Sequence, residues 1–204
     1  MSGFEEDIIR EYFEQHGFLV RAMRRIHGVG RRKNSEEAVD LMVMNPAYVE
    51  SDRRPAFLLF TTELSHIERA MVISSACHGY TRLSPGLLRG SAEILKFIEK
   101  NATKEMAAYE EEMASQPAFA GIKRILVLPG LPTTEPYRSD SVALLRQAGV
   151  DGIISFRTIL QDVIAKLEGA LTYEKSPSLQ AVRVLKLYDL LKEPQMGLFK
   201  DAAG

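Results

Sequence analysis

The order of apolar segments is the feature that most constrains the fold of this 204-residue chain. A repeat over Phe4–His16 predicts a helix, because its apolar residues recur at helical spacing and Gly17 follows as a stop. Helical and extended segments alternate again after Ser84. This order predicts an α/β protein with a mixed sheet and helices on both faces. The predicted extended segments are Phe18–Arg25, Ala38–Met44, Pro55–Phe60, Ala70–Ser75, Ile125–Leu128 and Gly152–Phe156.

The remaining segments predict helices within one continuous domain. Ser84 before Pro85 is a favourable N-cap, and the helix that it starts is predicted to run as far as Glu112, either continuously or with a break near Asn101. Because no low-complexity tract or sharp change in composition divides the chain, we predict an α/β domain over residues 1–168. Residues 169–204 are predicted to form a helical extension packed on the same domain. The other predicted helices are Ser141–Ala148, Thr158–Leu167 and a segment after Pro177.

Composition indicates an ordinary globular protein whose net charge is too small to create a strong electrostatic field around it. Hydrophobic residues make up 46% of the chain, charged residues make up 26%, and the formal net charge is −1. Attraction to nucleic acid must therefore come from a local basic patch. The single cysteine, Cys77, excludes an internal disulfide framework and a zinc site built from several cysteines. No apolar run approaches the roughly 20 residues that span a bilayer, and no secretory pattern is evident, so we expect a cytoplasmic protein without a membrane partner.

Asp40 lies in the middle of an apolar extended segment, Ala38–Met44, where an acidic residue is unexpected. Aspartate is depleted in strands, and a buried carboxylate without a partner costs several kcal/mol. A metal ion, an arginine or a set of hydrogen bonds should therefore offset its charge. Two interpretations remain open: Asp40 is a functional ligand, or it is a strand-end aspartate paired with a nearby arginine.

A basic run precedes Asp40 and is the candidate patch for binding phosphate. Positive side chains on a strand and its turn can follow a phosphate backbone, and Gly28 and Gly30 would allow the turn to approach it closely. No aromatic residues interleave with the arginines, so stacking on bases is not indicated. The alternative is a solvated turn balanced by nearby glutamates. The basic residues are Arg21, Arg24, Arg25, Arg31, Arg32 and Lys33.

A helix, a strand and an apolar run with an aspartate follow one another near the start of the chain, as Glu5–Arg10, His16–Arg21 and Asp40–Val43. This series resembles the PD-(D/E)xK nuclease superfamily, which includes archaeal Holliday-junction resolvases and restriction-endonuclease-like domains. The resemblance covers residues 4–75 by motif and extends to residue 168 by element order. It implies a restriction-endonuclease-like αβββαβ core with extra C-terminal helices. It also implies nucleic acid as the partner and Mg²⁺ or Mn²⁺ as the cofactor of phosphodiester hydrolysis.

The family scheme uses a helix glutamate, a strand aspartate, and an acid and a lysine two residues apart on the next strand, where alternate residues share one face. The resemblance therefore implies Asp40, Glu63 and Glu5 as catalytic residues, with Asp40 and Glu63 as metal ligands. Glu5 points along the apolar stripe of its helix, but it could instead close a capping box with Ser2. Glu63 could instead belong to the first turn of a short helix.

The acid-x-lysine pair is the point at which the sequence departs from the family. If the third strand is Phe57–Glu63, the pair is Thr61-x-Glu63, and if it is Ala70–Ser75, the pair is Ile73-x-Ser75. Neither contains the lysine, so we expect a protein that binds nucleic acid with an impaired or inactive site. Two other hypotheses stay open. One is a catalytically dead interaction or structural module, with a homodimer through the apolar helices as one form. The other is an unrelated α/β small-molecule enzyme with its site at the carboxyl ends of strands.

Overall fold

The computed structural model describes residues 3–24, 39–50, 52–74, 84–103, 106–107, 121–168, 173 and 176–191. The chain begins with helix α1 (Gly3–Gln15), whose apolar residues repeat at helical spacing and are buried along one side. Gly17 ends this region with a φ of 80°, a left-handed conformation that glycine adopts without steric cost. The predicted first helix is therefore confirmed.

Five strands form one mixed sheet in the order β1-β2-β3-β4-β5. The first three strands are antiparallel neighbours, and β4 and β5 are added parallel to β3. The α/β fold with a mixed sheet flanked by helices is confirmed. The strands are β1 (Leu19–Arg24), β2 (Val39–Met44), β3 (Arg69–Ser74), β4 (Lys123–Leu128) and β5 (Gly152–Ser155).

The prediction of a strand over Pro55–Phe60 is wrong. This segment makes a single parallel bridge, from Leu58 to Ile153 of β5, and the chain then enters a 3₁₀ helix over Thr61–His66. The Leu59 side chain lies so close to Gly152 that a Cβ there would be 2.7 Å from its Cδ1 atom. The apolar run therefore packs beside β5, where glycine leaves room for it, and it does not form a strand of the sheet.

Six helices are described beside the 3₁₀ segment, and most lie close to their predicted positions. The predicted N-cap is confirmed, because the Ser84 hydroxyl accepts a hydrogen bond from the Leu87 backbone N–H at 3.1 Å. The prediction of one continuous helix after Ser84 is wrong, since Gly90 has an extended backbone and separates two helices. The helices after α1 are α2 (Pro85–Arg89), α3 (Ser91–Phe97) with a π-helical turn at Ile98–Ala102, α4 (Tyr137–Gln147), α5 (Phe156–Lys166) and α6 (Pro177–Leu187).

Both faces of the sheet are covered. One face packs against α3 and α4 in a core that contains Met71, Ile73, Ile94, Leu126 and Leu145. The alternate strand residues face the other way. They are also buried, and include Leu41, Val43, Val72, Ile125, Val127 and Ile154.

The contacts divide the chain into two compact units, Met1–Val163 and Ile164–Gly204. Within the second unit, the Lys186 ammonium donates to the backbone carbonyls of Ile164 at 3.0 Å and Leu167 at 2.9 Å. The predicted boundary at residue 168 lies a few residues after this division between Val163 and Ile164. The packing of the C-terminal extension on the domain stays a prediction. In the described part of the chain, no helix has the length and apolar character needed to cross a membrane.

Candidate functional site

Asp40 is the second residue of β2, and only 1% of its surface is exposed. It pairs with Met23 of β1. On its other side the β2–β3 pairing ends with Leu41 and Val72, and continuing this antiparallel register by one residue would set Ile73 of β3 opposite Asp40. Asp40 has an interaction partner, so its charge is not isolated. The neighbouring strand thus presents an apolar, fully buried side chain at the position beside Asp40.

Glu63 lies in the first turn of the 3₁₀ helix and is not on a strand. Its carboxylate accepts hydrogen bonds from the Arg53 guanidinium at 3.1 Å and from the Ala56 backbone N–H at 2.9 Å. These bonds hold the ends of an irregular segment together. Glu63 therefore belongs to the first turn of a short helix, which was the alternative to a strand position. Thr61 and Glu63 do not form an acid-x-lysine-type pair on a third strand.

Glu5 lies in the first turn of α1 and is buried with the apolar stripe of that helix. This burial agrees with the predicted inward direction. Glu5, like Asp40, has an interaction partner. The alternative capping box depends on Ser2, which lies outside the described residues.

The described side chains form no cluster of three possible metal ligands. Magnesium prefers hard oxygen ligands in a near-octahedral arrangement and usually keeps several waters. The Glu63 carboxylate is bonded to Arg53. Among residues 3–24, 39–50 and the other described ranges, no three His, Cys, Asp or Glu side chains group closely enough to hold a metal ion. The metal and the catalytic roles of Asp40, Glu63 and Glu5 stay predictions from the resemblance.

The basic run begins beside Asp40. Arg21 is exposed on β1, and because it lies two residues before Met23, it shares the strand face of Asp40. Arg24 ends β1 opposite Val39, which is next to Asp40 in the chain. The side chain of Arg24 and the whole of Arg25, Arg31, Arg32 and Lys33 lie outside the described residues.

A polar cluster that was not predicted from the sequence joins α1, the 3₁₀ helix and α5. The His16 Nε2 and Asp162 Oδ2 atoms are 2.8 Å apart, and the Thr61 hydroxyl donates to Asp162 Oδ1 at 3.4 Å. The Tyr12 ring lies edge-on to the His16 ring at 4.9 Å between centroids. Tyr12 and His16 are four residues apart and therefore share a helix face, but no spacing in the sequence indicates Asp162 as their partner.

Burial raises the pKa of the Tyr12 hydroxyl to about 12. The neighbouring Thr61 side chain lowers this pKa, and the charge of Asp162 raises it further. Tyrosine has an ordinary pKa of 10.0, so between these values the folded protein retains a proton that the unfolded chain releases. The stability contributed by protonated Tyr12 is therefore fully present below pH 10.0 and is lost as the pH rises towards about 12.

We predict that Tyr12→Phe weakens this alkaline loss of stability. Urea unfolding of both proteins at about pH 8 and about pH 11 measures it, and the wild-type protein should lose about 1 kcal/mol more than the variant. Comparing the two proteins cancels the titration of the other tyrosines and the lysines. Equal losses in the two proteins would mean that Tyr12 ionises like an exposed tyrosine.

A cavity of about 560 Å³ lies at the carboxyl ends of β4 and β5. Its lining is mostly apolar, and Arg138 and Arg157 are among the lining residues. The arginines come from α4 and α5, and neither stands in a basic run, so the sequence analysis did not select them. Other lining residues include Leu58, Phe60, Leu131, Ser155, Phe156 and Thr158.

No family model matches this chain, and no curated protein or solved structure matches it. The proposed function is therefore based on the fold and on the positions of the described residues.

Proposed function

We propose that this chain has a restriction-endonuclease-like core that binds nucleic acid, with a metal site too incomplete for phosphodiester hydrolysis. The element order supports the core, because α1, three antiparallel strands, α3 and the parallel β4 follow one another as αβββαβ. The observation that carries the proposal is the register of β2 and β3. Continued by one residue beyond its last pair, Leu41 with Val72, this register sets the apolar Ile73 beside the buried Asp40, where the superfamily uses an acid.

We expect no hydrolysis because the position of Ile73 would have to supply a metal ligand. A metal-dependent nuclease needs oxygen ligands that hold the ion against the phosphate, so that the ion polarises the phosphate and activates water. Ile73 has no oxygen ligand in its side chain. Ser75, two residues later, is neutral where the scheme has lysine, and it lies outside the described residues. Asp40 would then be the acid that remains of the family scheme, with neither the second acid nor the lysine on the neighbouring strand.

Nucleic-acid binding needs only the charge of the basic run. Arg21 shares a strand face with Asp40, and β1 leads directly into the rest of the run. Six positive side chains within thirteen residues, from Arg21 to Lys33, can neutralise several phosphates and release their counterions. The net charge of −1 gives no general attraction, so binding should depend on this segment.

Fluorescence anisotropy with a labelled DNA duplex and a labelled RNA tests this proposal. We expect binding at about 50 mM salt that weakens steeply by about 200 mM, because phosphate contacts release counterions. Chelation of divalent ions should not change the affinity, and incubation with Mg²⁺ or Mn²⁺ should leave the nucleic acid intact. No binding at low salt would instead favour an interaction or structural module.

The proposed lack of a functional metal site can also be tested by thermal stability, which does not depend on activity. An ion that binds the folded state raises the melting temperature by mass action. We predict that Mg²⁺ or Mn²⁺ at millimolar concentration changes the melting temperature of the wild-type protein no more than that of Asp40→Asn. An increase that only the wild-type protein shows, or cleavage that Asp40→Asn abolishes, would identify Asp40 as a ligand in a working site.

A further inference from the structure

We propose that the cavity at the carboxyl ends of β4 and β5 binds a small organic anion with an apolar body, such as a carboxylate or a phosphate monoester. The residues that line this cavity are not those of the basic run, and the proposal does not rest on nucleic-acid binding. Its place in the sheet, its charge and its apolar lining each support the assignment.

The cavity lies where open α/β sheets usually place ligands. Strands β3, β4 and β5 are parallel, so their carboxyl ends meet at one edge of the sheet. The loop that follows β4 contributes Pro129–Thr133 to the lining, and the end of β5 and the start of α5 contribute Ser155–Thr158. A volume of about 560 Å³ is within the range of small-molecule sites.

Two exposed arginines are among the residues that line this cavity, and its lining contains no carboxylate among the residues that the structure describes. Arg138 and Arg157 are the second residues of α4 and α5, and neither forms a salt bridge within the described part of the chain. Hydrogen bonds from the Ser139 hydroxyl at 2.7 Å and from the Ser139 backbone N–H at 3.1 Å lower the pKa of Glu135, and the charge of Arg138 lowers it further. The guanidinium groups therefore remain available to an anion, which they can bind through charge-assisted hydrogen bonds.

The apolar part of the lining selects the rest of the ligand. Leu58, Phe60 and Leu131 line the cavity with accessible hydrocarbon surface, and a bare inorganic ion would leave this surface in contact with water. The hydroxyls of Ser155 and Thr158 are 2.7 Å apart, and the Ser155 oxygen also accepts a hydrogen bond from the Thr158 backbone N–H at 3.0 Å. These hydroxyls cap the start of α5, so recognition of the charge is left to the two arginines.

Titration with 8-anilinonaphthalene-1-sulfonate, an aromatic anion whose fluorescence rises in apolar sites, tests the proposal on the full chain. We expect one saturable site in the wild-type protein. In the double variant Arg138→Gln/Arg157→Gln the dissociation constant should rise at least about 10-fold, because two charge-assisted hydrogen bonds are lost. The matched control is Arg54→Gln/Arg89→Gln, which removes two exposed arginines outside the lining and should stay within about twofold of wild type.

Displacement experiments separate the two headgroups and the apolar contribution. Decanoate or decyl phosphate should displace the bound dye from the wild-type protein, and the stronger of the two identifies the preferred headgroup. Decanol, which has the same chain without the charge, should displace it at least about 10-fold more weakly. Equal dye affinity in the wild-type protein and the cavity variant, with unchanged melting temperatures, would overturn the proposal. Equal displacement by decanol and the two anions would also overturn it.

Discussion

Reversing the charge of Arg21, Arg24, Arg25 and Arg31 to glutamate should reduce affinity for a labelled DNA duplex at least about 100-fold at low salt. Each arginine that contacts a phosphate contributes about one unit to the slope of log affinity against log salt, so the slope should also flatten by several units. Anisotropy titrations at three or more salt concentrations measure both quantities. The effect should be large because the chain has no net positive charge to replace the lost patch.

A matched control separates the patch from the overall charge. Glutamate at Arg54, Arg69, Arg89 and Lys96 produces the same change in net charge on described, exposed positions outside the run. This variant should keep its affinity within about threefold of wild type, because long-range repulsion is screened at moderate salt. If both variants lose affinity equally, the run is not the binding surface. If neither loses affinity, nucleic acid is bound elsewhere.

Phe13→Ala is expected to lower the free energy of unfolding by about 3–5 kcal/mol, which is typical of removing a buried phenyl ring. Phe13 is fully buried on α1. Its ring lies 5.3 Å from the ring of Tyr12 and 5.4 Å from that of Phe18, both in edge-on geometry. The substitution therefore removes contacts with both rings and leaves a cavity beneath α1, the helix that carries Glu5 and leads into His16.

Urea unfolding at neutral pH measures this loss, with Phe4→Ala as the control on the same helix. Phe4 is 43% exposed, so its substitution should cost less than about 1 kcal/mol. A similar small cost at both positions would mean that α1 is not packed as described. Loss of cooperativity in Phe13→Ala would mean that α1 is needed for the whole domain to fold as one unit.

Local patterns in the sequence predicted much of the fold correctly. The helix over Phe4–His16 follows from apolar spacing, and the start of α2 follows from Ser84 before Pro85. Both patterns depend on residues only a few positions apart, so they can be recognised without knowing how the rest of the chain folds. The run Pro55–Phe60 was misassigned because its apolar character indicates burial, whereas its position depends on the room that Gly152 leaves on a distant strand.

The candidate site was predicted less completely. Asp40 was selected because a carboxylate in an apolar strand is costly, and the structure places it in β2 with 1% exposure. The residue that faces it, Ile73, depends on which segment becomes the next strand, and the sequence allowed two choices. The contact between His16 and Asp162 spans 146 residues, and no periodicity links them.

The amino-acid order by itself determined most of the helical and extended segments and that Asp40 would be buried. It did so because spacing and side-chain polarity set the conformation and burial of each short segment. Tertiary structure alone decided that β3 is the neighbour of β2, that Glu63 bonds to Arg53, and that Arg138 and Arg157 meet at one cavity. These contacts join segments that are far apart in the sequence. Which segments become neighbours depends on how all the side chains of the core pack together.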